Sequence, residues 1–188
     1  MSRLLQGDVG SGKTIIAIAS LLIELEKDQQ GALMVPTEVL ASQHYKNLIQ
    51  FLNPLLVSVE LLTGNTPQKK RKEILTNLKN GMVDILIGTH ALFEDKVVFN
   101  SLGMVVIDEQ HRFGVTQRNR LLNKGDNTNL LSMTATPIPR TLALSLYGDL
   151  DISQITELPP GRDPITTKII SEEELNKLFK LVDNEIDK

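Results

Sequence analysis

Two groups of residues in this sequence have the types and spacing needed for phosphate chemistry. The first is GDVGSGKT at 7–14, which matches GxxxxGK[ST] and lies between a short apolar run and a long helical segment. In such a loop, successive backbone N–H groups and the following helix N-terminus surround phosphate oxygens. The predicted nucleotide-binding residues are Gly7, Gly10, Ser11, Gly12, Lys13 and Thr14. Lys13 would reach the β- and γ-phosphates, and Thr14 would offer its hydroxyl to Mg²⁺.

The second group is IDEQHRFG at 107–114, which ends the apolar run GMVVI. Asp108 would stand at the carboxyl end of a strand, where α/β sheets bind ligands, and could hold Mg²⁺ through water. Glu109 would then orient or deprotonate the water that attacks the γ-phosphate. Adjacent acids after a strand often only cap the next helix. The phosphate-binding loop at 7–14, or P-loop, instead favours a catalytic role for this pair. Lys13, Asp108 and Glu109 are therefore the predicted catalytic group.

A second nucleotide pattern, NKGD at 123–126, resembles the guanine-recognition motif of GTPases. It follows the charged helical segment RNRLL instead of an apolar strand, and no DxxG follows Asp108. We interpret NKGD as the end of a helix, with Gly125 left-handed and Lys124 near the negative helix end. Guanine recognition is the less favoured alternative.

Seven short apolar runs alternate with segments whose apolar residues recur at helical spacing. The runs lie at 4–6, 32–35, 56–62, 84–88, 103–108, 129–133 and 150–155, and the helical segments at 14–27, 38–52, 68–80 and 140–147. Because the runs do not alternate with polar residues, we expect strands buried on both faces. The predicted fold is a three-layer α/β/α sandwich with a mainly parallel sheet.

The proline-rich segment ELPPGRDP at 157–164 interrupts this pattern. We predict one domain over 1–156, a linker over 157–164, and the first β-α step of a second domain over 165–188, including a helix over 172–186.

Composition excludes several classes of protein. The 188 residues contain no cysteine and three histidines, so disulfides and cysteine-based zinc sites are excluded. No run approaches the ~20 apolar residues of a membrane span, and we expect a cytoplasmic protein. The net charge of -3 means that any nucleic-acid contact must be local.

Six motifs together resemble a known family. GDVGSGKT, MVPTEVLASQHY, ILIGTHAL, IDEQHRFGV, SMTATPIPRTLA and LPPGR are similar, in this order, to the first motor lobe of superfamily 2 helicases, specifically RecG-type ATP-dependent DNA helicases. The transcription-repair coupling factor shares RFGV, but it typically has a glutamate in place of Gln110 and lacks LPPGR. The resemblance implies a RecA-like P-loop NTPase lobe that binds ATP and Mg²⁺.

The resemblance also implies roles for individual residues. Those that would couple hydrolysis to DNA movement are Gln110, His111, Thr134, Ala135 and Thr136. Those that would touch a phosphate backbone are Pro36, Thr37, Gln43, Thr63, Gly64, Thr89 and His90. The implied partners are branched or duplex DNA, such as stalled forks and Holliday junctions, together with a second motor lobe and an upstream wedge domain of the same protein. Without that lobe, the fragment is expected to bind Mg-ATP weakly and to hydrolyse almost none. A nucleotide-dependent interaction module without turnover is a further alternative.

Other polar residues have less specific interpretations. The basic run at 69–72 is expected to be solvated more than bound to DNA, and His44 and Tyr45 to be partly buried without a chemical role. The residues around the helix after Glu109 would either sense DNA or pack on the surface; these are Arg112, Phe113, Arg118 and Arg120.

Overall fold

The computed structural model describes residues 1–109, 113–136, 150–157, 167 and 175–186. Its strands are β1 (Ser2–Gly7), β2 (Gln30–Met34), β3 (Val59–Leu62), β4 (Ile85–Gly88), β5 (Leu102–Ile107), β6 (Asn129–Thr134) and β7 (Asp151–Ile155). Its α-helices are α1 (Lys13–Leu25), α2 (Glu38–Leu52), α3 (Gln68–Lys79), α4 (Val115–Leu122) and α5 (Leu175–Ile186), and 3₁₀ turns occupy Asn53–Leu55 and His90–Phe93.

The strands form one sheet in the order β3-β4-β2-β5-β6-β1-β7, and every neighbouring pair is parallel. The register aligns one row of residues across six strands, namely Leu62, Gly88, Met34, Ile107, Ser132 and Leu4. The segments that leave these strands therefore start at the same edge of the sheet, which we call the carboxyl edge.

Helices cover both faces of the sheet. One core joins α1 and α2 to alternate strand residues, and it includes Ala17, Leu21, Leu48, Leu52, Ile85, Ile87, Val106 and Leu131. The other joins α3, α4 and the 3₁₀ turn His90–Phe93 to the intervening strand residues, and it includes Ile74, Leu78, Leu92, Leu86, Val105, Leu121 and Leu130. Each fully buried Leu or Ile contributes ~1.5–3 kcal/mol. The predicted three-layer sandwich is confirmed.

Gln30 fastens the end of the sheet opposite the carboxyl edge. Its buried amide Nε2 donates to the carbonyls of Leu78 and Val83 at 2.9 and 2.7 Å. Its Oε1 accepts from the backbone N–H groups of Asn100 and Ser101 at 2.6 and 3.0 Å. One side chain thus joins the last turn of α3 and the segment after it to the segment before β5.

The left-handed conformation predicted for Gly125 is wrong. Among the described glycines, positive φ angles occur at Gly10, Gly12 and Gly81. Helix α4 does end at Leu122, as predicted, but Gly125 is needed for a different reason. A Cβ there would lie 2.3 Å from the carbonyl oxygen of Leu102, so glycine allows the loop to pass against β5.

Lys124 lies two residues after the end of α4, and its side chain has a further role that was not predicted. Its ammonium donates to the carbonyls of Glu94 and Val97, both at 2.8 Å, and burial lowers the pKa of Lys124. NKGD thus joins two loops of the fold, which agrees with a structural role.

Parts of the sequence predictions fall outside the described residues. The predicted helix at 140–147 lies there, as does most of the linker at 157–164. The predicted helix at 172–186 is described from Leu175 to Ile186. The domain limits at 156 and 165 remain predictions. Among the described residues, no helix is both long and apolar enough to cross a membrane.

Candidate nucleotide site and nucleic-acid edge

The loop between β1 and α1 requires glycine because of its backbone angles. Gly10 and Gly12 have φ values of 82° and 92°, in the left-handed region that side chains with a Cβ rarely adopt. A Cβ on Gly12 would meet no atom within 4 Å, so its conformation, not lack of space, selects glycine. At Gly7 the reason is space, since a Cβ would lie 2.5 Å from Ser11 Oγ.

The N-terminus of α1 is suited to bind an anion. Its N-cap is Gly12, which supplies no side-chain hydrogen bond, and its first turn contains no acidic residue. Neither the N-cap nor the first turn therefore supplies a carboxylate that would offset the positive end of the helix dipole. The Lys13 ammonium donates to the carbonyls of Gly7 and Asp8 at 2.7 and 2.8 Å, which holds it over the same loop.

Asp108 and Glu109 lie directly after β5. The backbone N–H of Asp108 donates to Met34 O at 2.9 Å, which continues the pairing with β2 for one more residue. Glu109 has a φ of 52°, and its N–H donates to Asp108 Oδ1 at 3.0 Å. A left-handed non-glycine residue costs of order 1–3 kcal/mol and is frequent at functional sites. The strained backbone position is therefore that of Glu109, the predicted catalytic carboxylate.

His44 also belongs to this site, although we expected it only to be partly buried. Its Nε2 lies 3.1 Å from Asp108 Oδ2, and the two side chains are 12% and 16% exposed. Partial burial is confirmed, but the contact with Asp108 was missed. Since α2 follows β2, and β2 pairs with β5, only the strand order places this helix over Asp108.

Strand β6 lies between β1, which leads into the P-loop, and β5, which leads into Asp108 and Glu109. Adjacent strands are about 5 Å apart, so the ends of β1 and β5 are separated by about 10 Å with Thr134 between them. Thr134 is buried, and its Oγ1 accepts from the N–H of Thr136 at 3.1 Å. A pocket of 330 Å³ brings Ala135 beside Gly7 and Asp8. Gln110 and His111 lie outside the described residues.

A metal at this site would have few protein ligands. Among the described residues, no three His, Asp or Glu side chains form a cluster that could hold a metal. Thr14 and Asp108 are the oxygen donors predicted for it. Mg²⁺ characteristically takes one or two protein oxygens, with waters and substrate phosphates as its other ligands. The available donor set therefore fits Mg²⁺ better than a zinc or calcium cage.

The residues expected to touch nucleic acid also lie along the carboxyl edge. Thr63, Thr89 and Asp108 are the first residues after β3, β4 and β5. Thr63 and Thr89 are buried, so any contact there would use backbone atoms. Thr37 caps α2 by accepting from Leu40 N–H at 3.3 Å. Pro36 is half-buried, and the exposed members of the set are Thr37, Gln43, Gly64 and His90.

An aromatic cluster connects this edge to the segment after Glu109. The ring centroid of Phe113 lies 5.7 Å from that of His90 and 6.3 Å from that of Phe93. Phe113 and Arg118 are buried, and Arg120 pairs with Asp95 at 3.6 Å. Packing is therefore the better interpretation of these three residues, while Arg112 lies outside the described residues.

Comparison with known proteins agrees with this geometry. Residues 2–144 match the family model described as DEAD/DEAH box helicase. The chain is 56% identical over 186 residues to the ATP-dependent DNA helicase RecG of Synechocystis sp., covering 99% of this chain and 22% of that protein. It is 50% identical over 186 residues to the RecG of Bacillus subtilis, covering 99% of this chain and 27% of that protein.

A solved structure of RecG bound to a three-way DNA junction shares the fold with a TM-score of 0.81 and 45% identity, covering 99% of this chain and 25% of that chain. The chain thus spans about a quarter of the length of the relatives it matches. These similarities confirm the predicted resemblance to RecG and the RecA-like fold. The chain belongs to the DEAD/DEAH box helicase family.

Proposed function

We propose that this chain is the ATP-binding motor lobe of an ATP-dependent DNA helicase or translocase that remodels branched DNA. The observation that carries the proposal is the strand register. It gathers the P-loop, the acidic pair and the expected backbone contacts at one edge of a single sheet. One sheet that holds both sites gives a direct structural connection between nucleotide hydrolysis and contact with DNA.

Each residue of the nucleotide site has a distinct task in this proposal. The amides of the loop 7–12 and the N-terminus of α1 bind phosphate oxygens, and Lys13 adds a positive charge. Bound Mg²⁺ would neutralise charge on the β- and γ-phosphates, held by Thr14 and Asp108. Glu109 orients the attacking water and accepts its proton.

Coupling to DNA requires a connection from the acids to the carboxyl edge. The proposed connection is β6, with Thr134, Ala135 and Thr136, together with Gln110 and His111. The contact between Phe113 and His90 offers a second connection. It links the segment after Glu109 to His90, an exposed residue expected to contact the phosphate backbone of DNA.

The partners of this lobe would be branched or duplex DNA, a second motor lobe and an upstream wedge domain of the same protein. An arginine finger from a second lobe is worth ~10³ to 10⁵ in rate in related phosphoryl-transfer systems. We therefore expect weak Mg-ATP binding and negligible turnover from this chain alone.

The test measures binding of a fluorescent ATP analogue to the 188-residue chain. We expect Mg²⁺-dependent binding that Lys13→Ala weakens at least about tenfold, as expected when a phosphate loses a charge-assisted contact. Lys27→Ala, which removes an exposed ammonium beyond the far end of α1, should leave binding unchanged. Equal binding by the Lys13→Ala variant would overturn the proposed site. DNA-stimulated turnover by the chain alone would contradict the expected dependence on a second lobe.

A further inference from the structure

A groove of 830 Å³ runs along α3 and is lined mainly by positively charged and polar side chains. We call it the α3 groove. Among the described residues, Gly64 stands at its wall, Glu94 is the single lining carboxylate, and the lining cations are Arg71, Lys72, Lys79 and Lys96. Four cations against one carboxylate is an unusual balance on a chain whose net charge is -3.

Much of this positive charge is available to a partner. The Glu94 carboxylate accepts from Arg71 at 2.5 Å, so these two charges neutralise each other. Lys70 is paired with Glu60 at 2.8 Å and lies outside the groove. Lys72, Lys79 and Lys96 are exposed, and the part of the chain that the structure describes provides no ion pair for them. Three lysines that have no ion pair with a described residue therefore line one concave surface.

The residues of α3 that line the groove lie on one face of the helix. Gln68, Lys72, Thr76 and Lys79 recur at i, i+4, i+8 and i+11, so they form a row along α3. Ile74 and Leu78 point from the same helix into the core, which holds the polar row outward. From Gln68 to Lys79 the row extends about 16 Å at 1.5 Å per residue. That length corresponds to about five base pairs of duplex at 3.4 Å each.

The groove is continuous with the carboxyl edge. Arg71 Nη1 donates to the carbonyl of Thr63 at 3.1 Å, and the next residue, Gly64, lines the groove. A backbone that contacts the edge at Gly64 would therefore continue directly onto the lysines of α3. None of the described residues that line the groove is aromatic, so they offer no stacking surface of the kind that single-stranded bases require.

We propose that the α3 groove binds the phosphate backbone of duplex DNA and extends the contacts of the carboxyl edge by about five base pairs. This inference rests on the proposed function, because it takes the edge to be the DNA-binding surface. Lysines that meet phosphates position a duplex without reading its sequence. The groove would thus hold the duplex while the lobe moves along the DNA.

The experiment measures binding of a fluorescein-labelled blunt duplex to the 188-residue chain over a range of salt concentrations. The variant Lys72→Gln/Lys79→Gln loses two proposed phosphate contacts. Its slope of log K against log salt should therefore become shallower by about 1.8, with an affinity loss of at least about tenfold at low salt. The control Lys27→Gln/Lys69→Gln changes the net charge equally with lysines outside the groove, and it should lose much less.

Equal losses in both double variants, an unchanged slope, or no duplex binding by the unsubstituted chain would overturn the proposal. Polyglutamate bound as tightly as the duplex, with the same dependence on Lys72 and Lys79, would identify an acidic protein partner and overturn it as well. Nucleotide binding by each variant distinguishes failure of the groove proposal from failure of the proposed function. A chain that binds nucleotide normally but does not need the groove lysines contradicts the groove alone.

Discussion

At the scale of single residues, the carboxylate of Asp108 is held by both of its oxygens. Oδ1 accepts from the Glu109 N–H at 3.0 Å, and Oδ2 lies 3.1 Å from His44 Nε2. Because an ionised carboxylate can only accept, His44 donates through Nε2–H. The orientation of the predicted metal-site carboxylate therefore depends on a residue of α2, the helix that Thr37 caps and that also carries Gln43.

His44→Ala should weaken the affinity of the nucleotide site for Mg²⁺, so that nucleotide binding needs a higher Mg²⁺ concentration. Loss of a group that orients a metal-binding carboxylate typically costs 10- to 100-fold in metal affinity, and we expect a shift of about tenfold or more in half-saturating Mg²⁺. His44→Gln, which can still offer an N–H, should recover part of it. The measurement is a Mg²⁺ titration of fluorescent-nucleotide binding.

Lys46→Ala is the control, because it removes an exposed side chain from the same helix as His44. Thermal unfolding of each variant separates loss of the site from loss of the fold. An unchanged Mg²⁺ midpoint in a folded His44→Ala protein would contradict the orienting role.

At the scale of elements, local patterns predicted much of the structure. The limits of α2 were predicted correctly as 38–52, because Thr37 supplies an N-cap and the apolar spacing continues to Leu52. The P-loop geometry also followed from its glycines. Strand order has no local signal, so the contact of His44 with Asp108 could not be foreseen. Likewise, Gly125 is required by the approach of β5, a contact between distant parts of the chain.

Gln30 offers a test of how the elements are fastened at the end of the sheet remote from the site. Gln30→Leu keeps the size of the side chain but removes partners from two carbonyls and two N–H groups. Each buried unsatisfied group costs about 1–3 kcal/mol, partly relieved by water, so we expect a total of about 2–4 kcal/mol.

Urea unfolding gives this free energy, with the exposed Gln50→Leu on α2 as the control. Nucleotide affinity of the folded Gln30→Leu protein should be unchanged, since the substitution lies opposite the carboxyl edge. A loss below about 0.5 kcal/mol, the usual range of a surface substitution, would show that the four bonds contribute little.

At the scale of the whole molecule, β1, the strand that leads into the P-loop, lies between the last two described strands, β6 and β7. β1 pairs with β6 through Ser2 to Gln6 and with β7 through Arg3 to Gly7. The loop that binds phosphate therefore starts from an interior strand, flanked by elements more than 120 residues away in the sequence.

A chain ending at residue 149 should lose nucleotide binding, because β1 would become an unprotected edge and the buried Leu150 would be absent. A chain ending at residue 157 keeps all seven described strands and should unfold cooperatively, with nucleotide affinity close to that of the 188-residue chain. Calorimetry and nucleotide titration of the two proteins make the comparison. Normal binding by the shorter chain would show that β7 is dispensable.

The position of β1 also sets the order of events during protein synthesis. Among the described strands of this sheet, β1 is synthesised first, and its neighbours β6 and β7 are synthesised last. Until residue 134 has emerged, β1 has neither partner strand, and until residue 155 has emerged, one of its two sides stays unpaired. A nascent chain would therefore gain the ability to bind nucleotide late and in one step, when the seventh strand closes beside the first.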